Sequence, residues 1–441
     1  MATAAASTPT NRSGNLRNYA LVTGAYWADT LTDGALRMLV LLFFYQQGYS
    51  AFQVAMLFLF YEIFGVVTNL FGGWIGARFG LKATLFAGLA TQVVALAMLA
   101  APPAEWLGNP ANIAVAVPYV MAAQALSGIA KDLTKMSSKS AVKFVVADGA
   151  QSTLYRWVAV LTGSKNAIKG VGFFVGGLLL TLLGFRSALL VLGGLVLAAL
   201  VLSVALIRGD LGTANKKARF SQIFSNNRAV NMLAAARVFL FASRDVWFVV
   251  GLPVFLRGVL GWDFWEVGAF MAVWVIGYGI VQAATPSLIR RRVEGQGAEP
   301  DGRTATWLAF ALAAFPAGIA GALMGGADPT LVVVAGLIVF GAIFALNSAV
   351  HSFLILAYTD SDKVAMNVGF YYMANAAGRL AGTVLSGLLY QLGASYGQST
   401  GLIACLWAAV ALVLGAGLLS LLLPTNSAPR TRPIRLKGLG E

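Results

Sequence analysis

The sequence predicts an all-α polytopic membrane protein, with twelve transmembrane helices arranged as two six-helix bundles. Three observations carry that expectation. Apolar residues make up 59% of the 441-residue chain and charged residues only 11%, with a mean hydropathy of +0.77; a water-soluble domain of that composition would lack a polar surface. Apolar stretches long enough to cross hydrocarbon, about 20 residues for roughly 30 Å, recur along the whole chain. Lysine and arginine fall almost entirely into alternate loops, the sorting that sets orientation in a bilayer.

A small and polar segment, 1–18, precedes spans near 19–46, 52–76, 83–102, 113–131, 155–184 and 187–207, which make a first bundle over 19–207. The first apolar stretch is too long for the core of a cleavable signal and is expected to stay in the protein. A charged linker, 208–231, leads to spans near 232–256, 265–289, 305–324, 330–357, 364–390 and 399–423, a second bundle over 232–423. The tail 424–441, rich in proline and basic residues with little to bury, reads as a flexible end.

Of the 31 basic residues, five lie inside spans and only Arg186 and Arg257 lie in the loops of one side. The rest share the side that holds both termini. The positive-inside rule therefore places both termini in the cytoplasm of a multi-pass protein, with a bacterial inner membrane as the expected location. A shift of 213 residues lays Gly48-Tyr49-Ser50-Ala51-Phe52-Gln53-Val54 on Gly261-Trp262-Asp263-Phe264-Trp265-Glu266-Val267. Both strings enter the second span of their half, and Ser50 with Gln53, like Asp263 with Glu266, has capping-box spacing. Two related bundles are the arrangement used for alternating access.

The charges are not scattered. Spans 3, 6, 9 and 12 hold no ionisable side chain in their apolar cores except Cys405, whereas spans 1, 2, 5, 7 and 11 hold most of them. A two-bundle transporter with every third helix facing lipid has that pattern, and a charge in the bilayer interior costs enough, about 2.5 to 3.5 kcal/mol on insertion scales, that it usually faces a polar cavity. In span 1, Asp29, Asp33 and Arg37 share one face, and Asp33 with Arg37 has the spacing of an ion pair. They read either as a structural pair with a spare acid or as a proton-titrating acid beside an anion contact. Glu62 is the deepest acid of span 2. Span 4 ends on Lys131 and Asp132; span 5 carries Lys165 and Lys169 on one face, the first within reach of the interface. Span 7 carries Arg237, Arg244 and Asp245. Trp274, Tyr278 and Gln282 make a stripe in span 8 that reads first as packing. Asn347 and His351 stand one turn apart in span 10, as a proton relay or as hydrogen-bonded structure. Asn367, Tyr371, Asn375 and Arg379 form a polar stripe along span 11, either a seam between helices or part of a cavity.

Deep inside the spans stand five basic residues, Arg37, Lys169, Arg237, Arg244 and Arg379, against four acids, Asp29, Asp33, Glu62 and Asp245. That excess favours an anionic small-molecule substrate. The formal charge of +14 is spread over short loops and makes no nucleic-acid patch. One cysteine and one histidine exclude a thiolate cluster and leave little for a metal site; no cofactor is expected. No catalytic acid, base and nucleophile set stands near an interface, so an enzyme is not expected.

Gly73-Trp74-Ile75-Gly76-Ala77-Arg78-Phe79-Gly80-Leu81-Lys82 resembles the loop motif of the major facilitator superfamily, with Ala77 in place of its aspartate. Gln124 to Lys131 is similar to that superfamily's arginine-and-glycine motif with Gln124 in the arginine place, and Gly172 to Gly177 to its glycine-rich antiporter motif with Phe173 for proline. Longer strings, TGAYWADTLTDGALRMLVLLFFYQQGYS, AAQALSGIAKDLTKMSSKSAVK and LTGSKNAIKGVGFFVGGLLL, resemble the organoarsenical efflux permeases, the ArsJ family. That resemblance implies arsenic resistance by export of 1-arseno-3-phosphoglycerate, the ester made when glyceraldehyde-3-phosphate dehydrogenase takes arsenate in place of phosphate. The residues expected to hold such an anion are Arg37, Lys169, Arg237, Arg244, Asn375 and Arg379, with Lys131 and Lys165 toward the mouth. Asp33 is the first choice for coupling to the proton gradient, followed by Asp29, Glu62, Asp245 and His351. The alternative is a permease for another phosphorylated metabolite or organic anion.

Overall fold

Every expected span is helical in the computed structural model, which describes residues 9–141, 151–208, 227–293, 300–359 and 364–425. The first eight residues, most of the linker expected at 208–231 and nearly all of the tail expected at 424–441 lie outside the described residues. The first half consists of α1 (Pro9–Gln46), α2 (Ala51–Leu57), α3 (Leu59–Phe79), α4 (Leu81–Ala100), the short α5 (Ala104–Gly108), α6 (Ile113–Ala141) and α7 (Gln151–Leu206). The second consists of α8 (Arg228–Phe248), α9 (Gly251–Gly258), α10 (Phe264–Val293), α11 (Gly302–Met324), α12 (Pro329–Ala357), α13 (Val364–Ala394) and α14 (Thr400–Ser420). Among the described residues nine stretches are long and apolar enough to cross a membrane. One of them, Ser164–Leu206, holds both spans 5 and 6; α1 and α13 stand outside the nine, and they carry the charged face of span 1 and the polar stripe of span 11.

Local chemistry explains where the spans break. Span 2 is interrupted at Phe58, between α2 and α3. Span 7 is divided between α8 and α9 because Pro253 has no N–H for the carbonyl one turn back and its ring crowds that turn. The amides of Val250 and Gly251 freed at the break donate to Ser386 Oγ at 3.2 and 3.0 Å, as burial away from water requires. Spans 5 and 6 turn at Gly184, whose φ of 73° is open to glycine at little cost. Between spans 2 and 3, within the string that resembles the loop motif, the chain turns at Gly80, also in the left-handed region. The Ser50–Gln53 capping box is complete, with both bonds made. In its counterpart, Asp263 N donates to Glu266 Oε2 at 2.7 Å.

Hydrogen bonds identify the face that carries the termini. Arg17, Asn18 and Lys82 donate to the carbonyls of Leu206, Arg208 and Ile207, and Gly302 N donates to Pro424 O. Large apolar side chains project outward along the second arm of α7, from Leu182 to Leu206, and on α11 and α14, as lipid-facing helices require.

The halves meet along two seams, α7 against α10 and α13 against α2 and α3. Glycines set how closely. On one side of α7, Gly172 and Gly176 leave no room for a Cβ against the backbone of Leu31 and Ala35 in α1; on another, Gly177 does the same against Phe264 in α10. The span-5 glycines thus sandwich α7 between its own half and the other. Toward the face away from the termini, Gly387 abuts Ala51 and Ala55, Gly258 abuts Tyr45, and Phe52 N donates to Gln391 Oε1 at 3.1 Å.

Candidate functional site

Between those seams the buried charges of both halves join in one network. α3 is drawn close to α6 at Gly128, where a Cβ would strike the Tyr61 backbone. This sets Tyr61 and Glu62 over the charged face of α1. Glu62 Oε1 accepts from Arg37 Nη2 and from Arg379 Nη2, each at 2.7 Å, so one carboxylate ties α1 to α13 of the other half. Asp33 Oδ2 accepts from Lys169 Nζ at 2.9 Å, and its Oδ1 from the Tyr61 hydroxyl, which itself accepts from Lys131 Nζ at 2.9 Å. Asp245 Oδ1 is held by Arg244 Nη2 at 2.6 Å, and its Oδ2 lies 3.7 Å from Arg379 Nε.

The ion pair that the spacing of Asp33 and Arg37 allows, one of the two readings of that face, is not formed. Asp33 turns to Lys169 and Tyr61, and Arg37 to Glu62 with its guanidinium over the rings of Phe58 and Tyr61. The helix spacing permits the intrahelical pair, but partners on α3 and α7 compete for both groups. Lys131, expected near the mouth, reaches this network through Tyr61, while its neighbour Asp132 turns away to Lys135 and Thr68. Lys165 lies one turn from Lys169 on α7, half-buried. Among the described residues, buried Asp29 accepts from Thr134 Oγ1 alone, at 2.6 Å, and its Oδ1 has no partner.

Arg237 stands apart. Its Nε donates to Asn375 Oδ1 and its Nη1 to Ser348 O, both at 3.1 Å, and its guanidinium lies over the rings of Phe241 and Tyr371. Asn347 and His351 are wholly buried on α12. Trp274, Tyr278 and Gln282 bond to Leu337 O and Ser348 Oγ in the seam between α10 and α12.

Exposure sorts the network by sign. The side chains of Lys169, Arg244 and Arg379 keep 19, 15 and 20% of their surface, while their partners Asp33, Asp245 and Glu62 keep 5, 2 and 1%. Lys169, Arg244 and Arg379 therefore border accessible space, while Arg37, whose side chain is 7% exposed, lies back with the carboxylates. Five cations, Arg37, Lys131, Lys169, Arg244 and Arg379, meet three carboxylates in the network, so the surface it presents is positive. Such a surface can take an anion by exchanging carboxylate oxygens for those of the solute, since guanidinium and ammonium groups bind both. Among the described residues no three His, Cys, Asp or Glu side chains are placed to hold a metal ion.

Sequence reasoning missed Tyr61, Thr134 and Ser348. A tyrosine in mid-span needs a partner for its hydroxyl, and Tyr61 beside Glu62 was the available signal; hydroxyls such as Thr134 are too common in membrane helices to stand out.

The family model of the Major Facilitator Superfamily matches residues 22–356. No curated protein matches the chain. Among solved structures, it is similar to the crystal structure of the peptide transporter POT in complex with sulfate, with a TM-score of 0.67 and 14% identity over 92% of this chain and 96% of that one. It is similar to a bacterial homologue of the iron transporter ferroportin in an inward-facing state, with a TM-score of 0.67 and 15% identity over 94 and 99% of the two chains. A bacterial metal transporter follows, at 0.63 and 14% over 92 and 98%. At such identities the likeness is one of fold. Together with the family match over most of the chain, it makes this protein a member of the Major Facilitator Superfamily, a multi-pass transporter of small molecules rather than an enzyme.

Proposed function

We propose that this chain is a secondary active efflux transporter that carries an anionic organoarsenical, 1-arseno-3-phosphoglycerate, out of the cytoplasm in exchange for protons and so confers arsenate resistance. The observation that carries the anionic reading is the sorting of charge: Lys169, Arg244 and Arg379 at the accessible surface, their carboxylates buried behind them. A pentavalent arsenate ester presents phosphate and arsenate oxygens, which call for guanidinium, ammonium and hydrogen-bond donors. It needs no soft sulfur ligand, and the one cysteine, Cys405, is buried in α14. The identity of the solute rests on the resemblance of the strings around Asp33, Lys131 and Lys169 to the organoarsenical permeases.

Arg37, Lys169, Arg244 and Arg379 hold the anion in this scheme. Glu62, bound to Arg379 across the seam, acts as a lock. An anion that takes Arg379 frees Glu62 and permits the outward step; on the return, protonation of Glu62, or of Asp33 beside Lys169, does the same without solute. The empty, unprotonated carrier stays locked, as exchange without leak requires. The cytoplasmic side is the one carrying the termini, in a bacterial inner membrane, and glyceraldehyde-3-phosphate dehydrogenase supplies the solute.

The test is arsenic accumulation by everted vesicles containing the protein, given arsenate, glyceraldehyde-3-phosphate, NAD and the dehydrogenase, with the dehydrogenase omitted as control. Enzyme-dependent uptake abolished by a protonophore is the expected result. Uptake that survives the protonophore removes the coupling, and no enzyme-dependent uptake by well-expressed protein removes the arsenical in favour of another organic anion.

A further inference from the structure

Four of the five deep cations are matched by a carboxylate within 4 Å; Arg237 has no such match among the described residues. Its contacts are a carbonyl, an amide oxygen and two aromatic rings. It is 5% exposed, and a guanidinium that deep without a counter-charge is costly. On α12, beside its Ser348 contact, stand two polar side chains that are unsatisfied among the described residues. Asn347 and His351 flank Ser348 on the helix, and the Ser348 carbonyl accepts from Arg237 Nη1 at 3.1 Å. Both are fully buried, yet among the described residues neither amide atom of Asn347 and neither ring nitrogen of His351 has a hydrogen-bond partner. An unmade bond of this kind costs about 1 to 3 kcal/mol, and buried polar groups in native proteins are almost always paired.

We infer that Arg237, Asn347 and His351 form a second oxyanion-binding site in the C-terminal half, separate from the ion-paired network. The chemistry selects the ligand class. Arg237 supplies the positive charge, and the Asn347 amide and one imidazole N–H donate, so the ligand accepts hydrogen bonds and carries negative charge. The remaining imidazole nitrogen and Asn347 Oδ1 accept, which suits a tetrahedral oxyanion that keeps a hydroxyl group. Phosphate and arsenate in their singly protonated forms meet both demands, either free or as the end group of a larger solute. The position suits a solute that also touches the central network: Arg237 and Arg244 lie over the same Phe241 ring, 4.0 and 4.8 Å from its centroid, so their charges are at most 8.8 Å apart. That second use rests on the anionic reading proposed above; the site itself does not. His351 serves here as a donor to the ligand rather than as a proton relay.

The chain has a single histidine, so histidine-labelled protein, purified on a histidine-free tag and returned to lipid vesicles, gives one imidazole signal by magnetic resonance. Inorganic phosphate and 3-phosphoglycerate are titrated separately, with chloride as control. The expected result is a saturable shift of the His351 signal with an oxyanion but not with chloride, weakened at least tenfold in Arg237→Gln and in Asn347→Ala, and largely retained in Arg237→Lys. A response to phosphate alone identifies a free oxyanion as the ligand, and one to 3-phosphoglycerate alone the end group of an organic solute; either supports the site. No response to either oxyanion overturns it, as does one that survives Arg237→Gln unchanged. Failed vesicle transport with a His351 signal that still responds would sink the transport reading and leave the site standing.

Discussion

Replacing Glu62 with glutamine tests whether a single carboxylate holds the two halves together. Glu62 Oε1 accepts from Arg37 of its own half and Arg379 of the other at 2.7 Å each, and the residue is 1% exposed. Removing one member of such a buried set costs about 3 to 5 kcal/mol, chiefly by leaving charge unpaired. Of the two bonds to Glu62, that from Arg379 crosses the seam, and a hydrogen bond to a charged group contributes about 1.5 to 3 kcal/mol. Since about 1.4 kcal/mol is a factor of ten, Glu62→Gln should raise the population in which α3 and α13 part by about tenfold to a hundredfold. The assay is the reactivity of a cysteine at Ala55, which is buried against Gly387 of α13, in a Cys405→Ser background. Maleimide should reach it correspondingly faster in the Glu62→Gln protein. A rate within about twofold of the parent would refute the lock, because a seam that opens no more readily without the bond was not held by it.

Three further outcomes follow from the same geometry. Asp33→Asn strips Lys169 of its counter-charge and should lower stability by about 3 to 5 kcal/mol, whereas Asp29→Asn keeps the Thr134 contact, unpairs no cation and should cost under about 1 kcal/mol; thermal unfolding in detergent separates them, and equal penalties would disprove the pairing. Tyr61→Phe removes the hydroxyl that links Asp33 to Lys131 and should cost about 1 to 3 kcal/mol, with weaker anion uptake at low substrate in the vesicle assay; unchanged uptake would take Lys131 out of the site. Gly177→Ala puts a methyl against the Phe264 backbone and should destabilise by about 1 to 3 kcal/mol and slow transport, read as a lower unfolding temperature and a lower initial rate.

How much was legible beforehand can be argued from single residues. The spans, the avoidance of charge in spans 3, 6, 9 and 12, the turn at Gly80 and the Ser50–Gln53 cap depend on composition and on contacts a few residues apart, so the linear order displays them. The breaks at Phe58 and at Val249–Val250 were less visible, although Pro253 announced the second. The pairing of charges was not legible. Asp33 and Arg37 have ideal spacing for each other and are nevertheless claimed by Lys169 and Glu62.

The sequence by itself determined that lipid is the solvent, that twelve helices cross it, and that an excess of positive charge must be sheltered inside them. Hydrophobic burial and local hydrogen bonding follow from which residues stand in a row. Only the tertiary structure decided which cation meets which carboxylate, that Glu62 bridges the halves, and that Arg237 is left with neutral partners. An ion pair in a low-dielectric interior is settled by distances of a few ångströms. Those distances depend on how closely α1, α3, α7 and α13 approach, and glycines such as Gly128 and Gly172 set that approach in ways visible only once the facing backbones are in place.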